Sequence, residues 1–183
     1  MEISETFFTT PAGYPGKDEK ILSVLEALSD MGIAYRGTTH EHADTIEACR
    51  GVEKAIGAPI CKNLFLCNRQ KTAFYLLIMP GDKPFKTKYL SEQIGSARLS
   101  FADGADMERL IGCRPGSASM LGLLFDREKQ VRFLIDRDLL AEEYWGFHPC
   151  VNTATLRLKR TDLTGVFPER LGVTPEYVSL PRE

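Results

Sequence analysis

The 183-residue chain predicts an α+β fold, a single domain in which a curved mixed β-sheet is flanked by helices. Three observations predict it. Apolar residues near the start recur with helical spacing. Short apolar runs bounded by turn residues cluster in the middle and towards the end. Helical stretches lie early and between those runs, with no strict strand–helix alternation. No repeat, low-complexity stretch or long linker divides the chain, and 43% hydrophobic residues over this length suffice for one sizeable core.

The elements are expected in this order. Residues 1–17 form an irregular lead-in, because Thr9 to Gly16 is rich in turn formers. From Asp18, the spacing of Ile21, Leu22, Val24, Leu25 and Leu28 predicts an amphipathic helix ended by Gly32. Ile33 to Thr39 reads as a short strand. Thr45 caps a second helix, Ile46 to Ile56, which Gly57-Ala58-Pro59 stops. Ile60 to Cys67 and Thr72 to Met79, separated by Asn68-Arg69-Gln70-Lys71, predict a hairpin. Tyr89 to Ile94 and Asp106 to Ile111 read as short helices around a strand fragment, Leu99 to Phe101. A Gly/Pro/Ser loop, Gly112 to Ser119, precedes expected strands at Leu121 to Phe125, Val131 to Ile135 and Thr153 to Leu158. Residues 166–183 read as a tail with three prolines.

Composition narrows the function classes. A net charge of -2 lacks the basic footprint of a dedicated duplex-DNA binder, though a local patch could still grip one end of an RNA. Five cysteines with no C-x-x-C pair argue against a disulfide framework and for a reducing compartment. The first residues carry two glutamates and no basic start, and no apolar stretch approaches the ~20 residues that span a bilayer. A soluble, cytoplasmic protein without membrane attachment is expected.

Few positions offer chemistry. Lys62-Asn63 interrupts the apolar run Ile60 to Leu66. A lysine there snorkels to water from an edge strand, or aims its ammonium into a cleft to meet a phosphate or polarised carbonyl; the pattern fits either. Asn63 would point to the opposite face unless the strand bends or ends. The loop Gly112 to Ser119 lets backbone approach a ligand, but lacks the Gly-Lys-Ser/Thr ending of a P-loop. Phe147-His148-Pro149, with Asn152 and Thr155, is a polar cluster ahead of a strand, and a lone histidine more often satisfies a hydrogen bond than catalyses. His40 and His42 suggest metal, yet no spaced Cys/His set completes a tetrahedral site, so no metal and no cofactor are expected. No G-x-S-x-G elbow points to a serine hydrolase. Asp136/Asp138 and Glu142/Glu143 read as solvated surface.

Four ordered blocks carry a resemblance: Cys61 to Leu66, Arg98 to Ala102, Pro115-Gly116-Ser117 and Phe147 to Thr155. The chain resembles the YbaK / prolyl-tRNA-synthetase-associated editing family, within it the free-standing Ala-tRNA(Pro) deacylase branch, over about Leu22 to Leu163. The resemblance implies one editing domain over residues 1–183. It also implies hydrolysis of the ester between a wrong amino acid and tRNA(Pro), with water attacking and the terminal ribose hydroxyl assisting. Lys62, Asn63 and His148 match catalytic positions; Gly116, Ser117, His42 and Asn152 are the implied substrate-binding set. The partners implied are the acceptor end of a mischarged tRNA(Pro) and prolyl-tRNA synthetase, with no DNA. The chain departs from the family where Met120 replaces a common proline, Phe125 an asparagine, and Leu171-Gly172-Val173-Thr174 a glycine–histidine tail. Alanine, cysteine and serine therefore stay open as the amino acid cleared. A non-catalytic module that binds charged tRNA or a proline-related ligand is the competing class.

Overall fold

The computed structural model describes residues 1–183. In chain order it contains α1 (Glu19–Asp30), β1 (Tyr35–Thr39), α2 (Ile46–Ile56), β2 (Lys62–Asn68), β3 (Phe74–Met79), α3 (Thr87–Ile94), β4 (Leu99–Phe101), α4 (Gly104–Ile111), β5 (Val131–Asp136), β6 (Tyr144–Phe147), β7 (Ala154–Lys159), α5 (Arg160–Thr164), α6 (Val166–Leu171) and β8 (Glu176–Val178). The α+β class and the mixed sheet hold. There are two sheets, however: a mixed one ordered β4-β2-β3-β5-β8 and an antiparallel one ordered β1-β7-β6. A parallel bridge between Ile60 and Gly146 links them.

The central hairpin is buried on both faces, which is why its sequence runs apolar without alternating. Phe65, Cys67, Phe74, Leu76 and Ile78 join the main core beneath α1. Leu66, Tyr75, Leu77 and Met79 pack on the other side with Leu90 of α3, Leu134, Val178 and Leu180. Asp18 accepts from Lys20 N and Ile21 N to start α1, and Thr45 accepts from Ala48 N to start α2.

Three expectations need correction. Leu121 to Phe125 is not a strand: Met120–Phe125 is a 3-10 helix capped by Ser119. A short buried apolar run does not by itself distinguish the two conformations. The tail is structured, since α6 and β8 lie within it and Leu180 is buried. Asp136 is not surface. It is fully buried, and its carboxylate lies 2.7 Å from the equally buried Lys83 ammonium. Asp138 Oδ2, at 2.9 Å, and Leu180 O, at 2.9 Å, take the other two ammonium hydrogens. The cluster staples the Pro80–Pro84 turn and the C-terminal segment to the end of β5.

A buried ion pair that loses one partner leaves an uncompensated charge, at a cost of ~3–5 kcal/mol. Lys83→Met should therefore lower stability by about that amount in urea titration, and adding Asp136→Leu should recover most of the loss. A single variant within ~1 kcal/mol of the parent would show that water reaches this cluster.

Candidate functional site

A cavity of about 340 Å³ opens where the two sheets meet. Ile60, Cys61, Asn63, Leu64 and Phe65 from β2 and its run-in form one wall. Ala43 and Cys49 lie on the α2 side, Phe101, Ala102 and Met107 on the β4–α4 side, and Gly116, Ala118 and His148 complete it. No lining residue is charged.

The site follows from local folding. Asn63 bonds in both directions: its amide donates to Cys61 O at 3.0 Å, and its Oδ1 accepts from Met120 N at 3.0 Å. One N–H and one lone pair of the amide stay free. Gly116 sits at φ 83 with open space where a side chain would project, so the loop turns there as only glycine does easily. Ser117 is buried, its hydroxyl 2.7 Å from Arg114 O and 2.8 Å from Cys150 O, which ties the loop to the turn after β6.

His148 is held by a defined chain of hydrogen bonds. Its Nδ1 lies 2.9 Å from Ala154 O and 3.0 Å from Thr155 Oγ1. Thr155 Oγ1 lies 2.8 Å from His40 Nε2, and His40 Nδ1 lies 2.6 Å from Glu41 O. Carbonyl oxygens only accept, so both Nδ1 atoms carry protons and the threonine hydroxyl donates to His40. His148 Nε2 is thereby left as a lone pair, free to accept a hydrogen bond from a ligand. Burial lowers the His148 pKa to about 4, with a smaller contribution from His40 and His42, so the ring is neutral at pH 7. Burial also raises the thiol pKa values of Cys61 and Cys49, which line the cavity as unionised thiols.

The structure brings Asn63, Gly116 and His148 to one cavity and leaves the other expected site residues outside its wall. Lys62 leaves the opposite face of β2, donates to Lys83 O, and has its pKa lowered by burial, with Asp82 opposing. Asn152 is buried against the α2 side, where its Oδ1 accepts from Ala43 N at 3.2 Å. Ser117 and Asn152 thus fix segments that line the cavity. His42 is exposed. Sequence reasoning missed Ala43, Cys49, Met107 and Ala118 as wall residues, and the His40–Thr155 relay. The small residues carry no chemical signal of their own, and the relay joins positions 115 residues apart.

Between pH 6.5 and about 4 the unfolded chain binds a proton at His148 that the folded chain does not. Stability contributed by the neutral ring is full above pH 6.5 and is lost as pH falls through that window; His40, also lowered by burial, adds to it. Thermal melts should show the fall, and His148→Gln should shallow it. An equally steep fall in the variant would assign the proton uptake elsewhere.

Residues 40–166 match the family model described as the aminoacyl-tRNA editing domain. The prolyl-tRNA editing protein ProX of Acetoanaerobium sticklandii is 30% identical over 141 residues, covering 77% of this chain and 86% of that protein. The prolyl-tRNA synthetase associated domain-containing protein 1 of Xenopus laevis is 31% identical over 137 residues, covering 73% and 81%. A crystal structure described as a candidate trans-editing enzyme for prolyl-tRNA synthetase shares the fold, with a TM-score of 0.69 at 16% identity, covering 91% of this chain and all of that one. No helix is long and apolar enough to cross a membrane. A match running from the His40 relay through the His148 block, and so over the whole cavity wall from Ala43 onwards, places this chain in the aminoacyl-tRNA editing domain family.

Proposed function

We propose that this chain is an aminoacyl-tRNA deacylase that acts in trans on mischarged tRNA(Pro), with alanine as the amino acid removed. What supports this is the cavity: small, uncharged, and polar only at one amide, one imidazole and two unionised thiols, on a chain of the editing family. Water attacks the ester carbonyl, the bond to the ribose oxygen breaks, and the ribose oxygen takes the proton. The unionised thiols agree with a route that uses no enzyme nucleophile. His148 Nε2 accepts from the amino group of the aminoacyl moiety or from the attacking water, while the spare Asn63 N–H meets the carbonyl oxygen as its charge grows. Phe101, lining the cavity yet 60% exposed, offers a face on which the terminal base stacks. Lys62 works outside the pocket, from the opposite face of β2. Its four-carbon stem lets the ammonium exchange the Lys83 carbonyl for a phosphate near the end of the tRNA. His42 is exposed, one residue before the wall residue Ala43. Ser117 and Asn152 are positioning residues.

Single-turnover deacylation of Ala-, Cys-, Ser- and Pro-tRNA(Pro) tests the reading, with Ala-tRNA(Pro) expected to be cleared fastest and Pro-tRNA(Pro) spared. Losing one preorganised electrostatic contact costs about 10²–10³ in rate. Lys62→Ala should fall by that factor with an unchanged melting temperature, and Lys62→Arg should recover only part. Near-parent rates for Lys62→Ala would return this lysine to a structural role on the Lys83 turn.

The amino-acid size limit should be set by the loop. Gly116→Val would strain a positive φ as well as narrow the site, so Ala118→Leu is the cleaner variant. It should abolish alanine clearance while uncharged tRNA binds as before. Clearance of Ala-tRNA(Pro) at the parent rate would place the amino acid elsewhere.

A further inference from the structure

We infer that Arg36, Arg157 and Lys159 build a phosphate-binding site at a second cavity, on the outer face of the three-stranded sheet. The cavity measures about 320 Å³, and its walls include Thr9, Arg36, Tyr144, Arg157, Lys159 and Asp162. Arg36 and Arg157 are direct cross-strand partners in the β1–β7 register. Like charges in that position repel and destabilise a sheet unless something neutralises them.

No carboxylate in the chain does. None of its ion pairs includes Arg36, Arg157 or Lys159. Asp162, the one carboxylate on the wall, stays beyond ion-pairing distance of all three. The protein acceptor that the arginines reach is Ala55 O near the end of α2, at a long 3.4 Å from Arg36 Nη2. Both arginines keep an Nε–H shielded from water without an acceptor in the chain.

The guanidinium groups are also held in place. Arg157 lies 4.3 Å over the Tyr144 ring and Arg36 lies 4.0 Å over the Phe7 ring. Stacking covers their faces and leaves their terminal Nη–H groups, rather than the shielded Nε–H, to donate to an oxyanion. Two fixed forks and a lysine around one hollow suit a phosphate, which brings several oxygens and at least one negative charge. The site also lies near the first cavity. Gly146 pairs with Arg157 on one side and bridges to Ile60 on the other, and Ile60 lines that cavity. Two strand spacings separate Arg157 from Ile60, roughly 10 Å.

The phosphate belongs either to the backbone of a bound tRNA, which rests on the proposed deacylase reading, or to free phosphate. Two measurements on the full chain separate these sources. The first is melting temperature in phosphate-free buffer with added inorganic phosphate. The second is binding of uncharged tRNA(Pro) across a salt series. Both are run on the parent, Arg36→Gln/Arg157→Gln and Lys159→Gln. Without phosphate the double variant should melt at or above the parent temperature, because a repulsion has been removed.

A backbone site predicts weaker tRNA binding in the variants, a salt slope shallower by about 1–2, and an unchanged single-turnover rate at saturating tRNA. A free-phosphate site predicts a phosphate-dependent rise in melting temperature that the variants lose, with tRNA binding untouched. Either result supports the site. Parent-like responses of both kinds in Lys159→Gln and in the double variant overturn it, and if the double variant does not fold, parent-like responses in Lys159→Gln alone overturn it. Neither readout needs ester hydrolysis, so a failure of the deacylase reading remains distinguishable from a failure here.

Discussion

Two backbone hydrogen bonds join the molecule's sheets edge to edge above the core they share: Gly146 donates to Pro59 O at 2.8 Å, and Cys61 donates to Gly146 O at 3.1 Å. The rest of the architecture depends on this seam. A side chain at Gly146 would press on Ile56 Cδ1 at 3.0 Å and Pro59 O at 3.1 Å, so close approach of the strands favours glycine there. The seam leaves β2 beginning at Lys62 in one sheet while its run-in, Pro59 to Cys61, pairs with the other. A cavity forms at such a change of sheet because neither sheet's side chains fill the angle between them. Asn63 and His148, the polar groups of the cavity, lie within two residues of the seam's ends.

Both rims of the seam are fastened by buried polar groups. On one side, Lys83, Asp136, Asp138 and Leu180 O form a closed set in which every ammonium hydrogen has an acceptor. Arg182, 3.4 Å from Asp138, supplies the second positive charge. The Lys83 carbonyl then receives the Lys62 ammonium, so the resting position of Lys62 is set by an ion cluster on the far face of the sheet. On the other side, Ser117 and Asn152 tie loop segments to Cys150 O and Ala43. Unpaired, these groups would each be costly; paired, they specify one arrangement of otherwise irregular chain.

The parts of this architecture legible in the sequence are those with local causes. The bounds of α2 follow from Thr45, which caps it, and from Gly57, in the left-handed conformation that ends it. The β2–β3 hairpin follows from two apolar runs around a polar turn. Long-range causes were not legible. Asp136 looks like one of a pair of surface carboxylates until the fold brings Lys83 to it from 53 residues away. Leu121 to Phe125 looks like a strand, but a Cβ at Gly122 would lie 2.4 Å from Ile111 O, so this stretch packs its backbone tightly against the end of α4. Strand alternation already separated Lys62 from Asn63, and the structure keeps them on opposite faces. Likewise His148 stood out by residue type, whereas its tautomer depends on Thr155 and His40, and only the fold could place those.

The absence of charge on the first cavity's wall bears on how the proposed deacylase would select its substrate. A pocket built for proline gains only ~1–3 kcal/mol per missing methylene against alanine, so one binding step discriminates weakly. A second pocket that rejects by size multiplies that discrimination, provided it does not grip everything that enters. Charged walls would hold any aminoacyl group by its amino or carbonyl end and blunt the size test. A neutral imidazole that can only accept and one amide N–H that can only donate orient a substrate without holding it strongly. Burial keeps His148 in that acceptor form across the physiological range. On this reading the strong, non-selective attraction is kept outside the pocket, at Lys62, where it fastens the nucleic acid and leaves the choice of amino acid to shape.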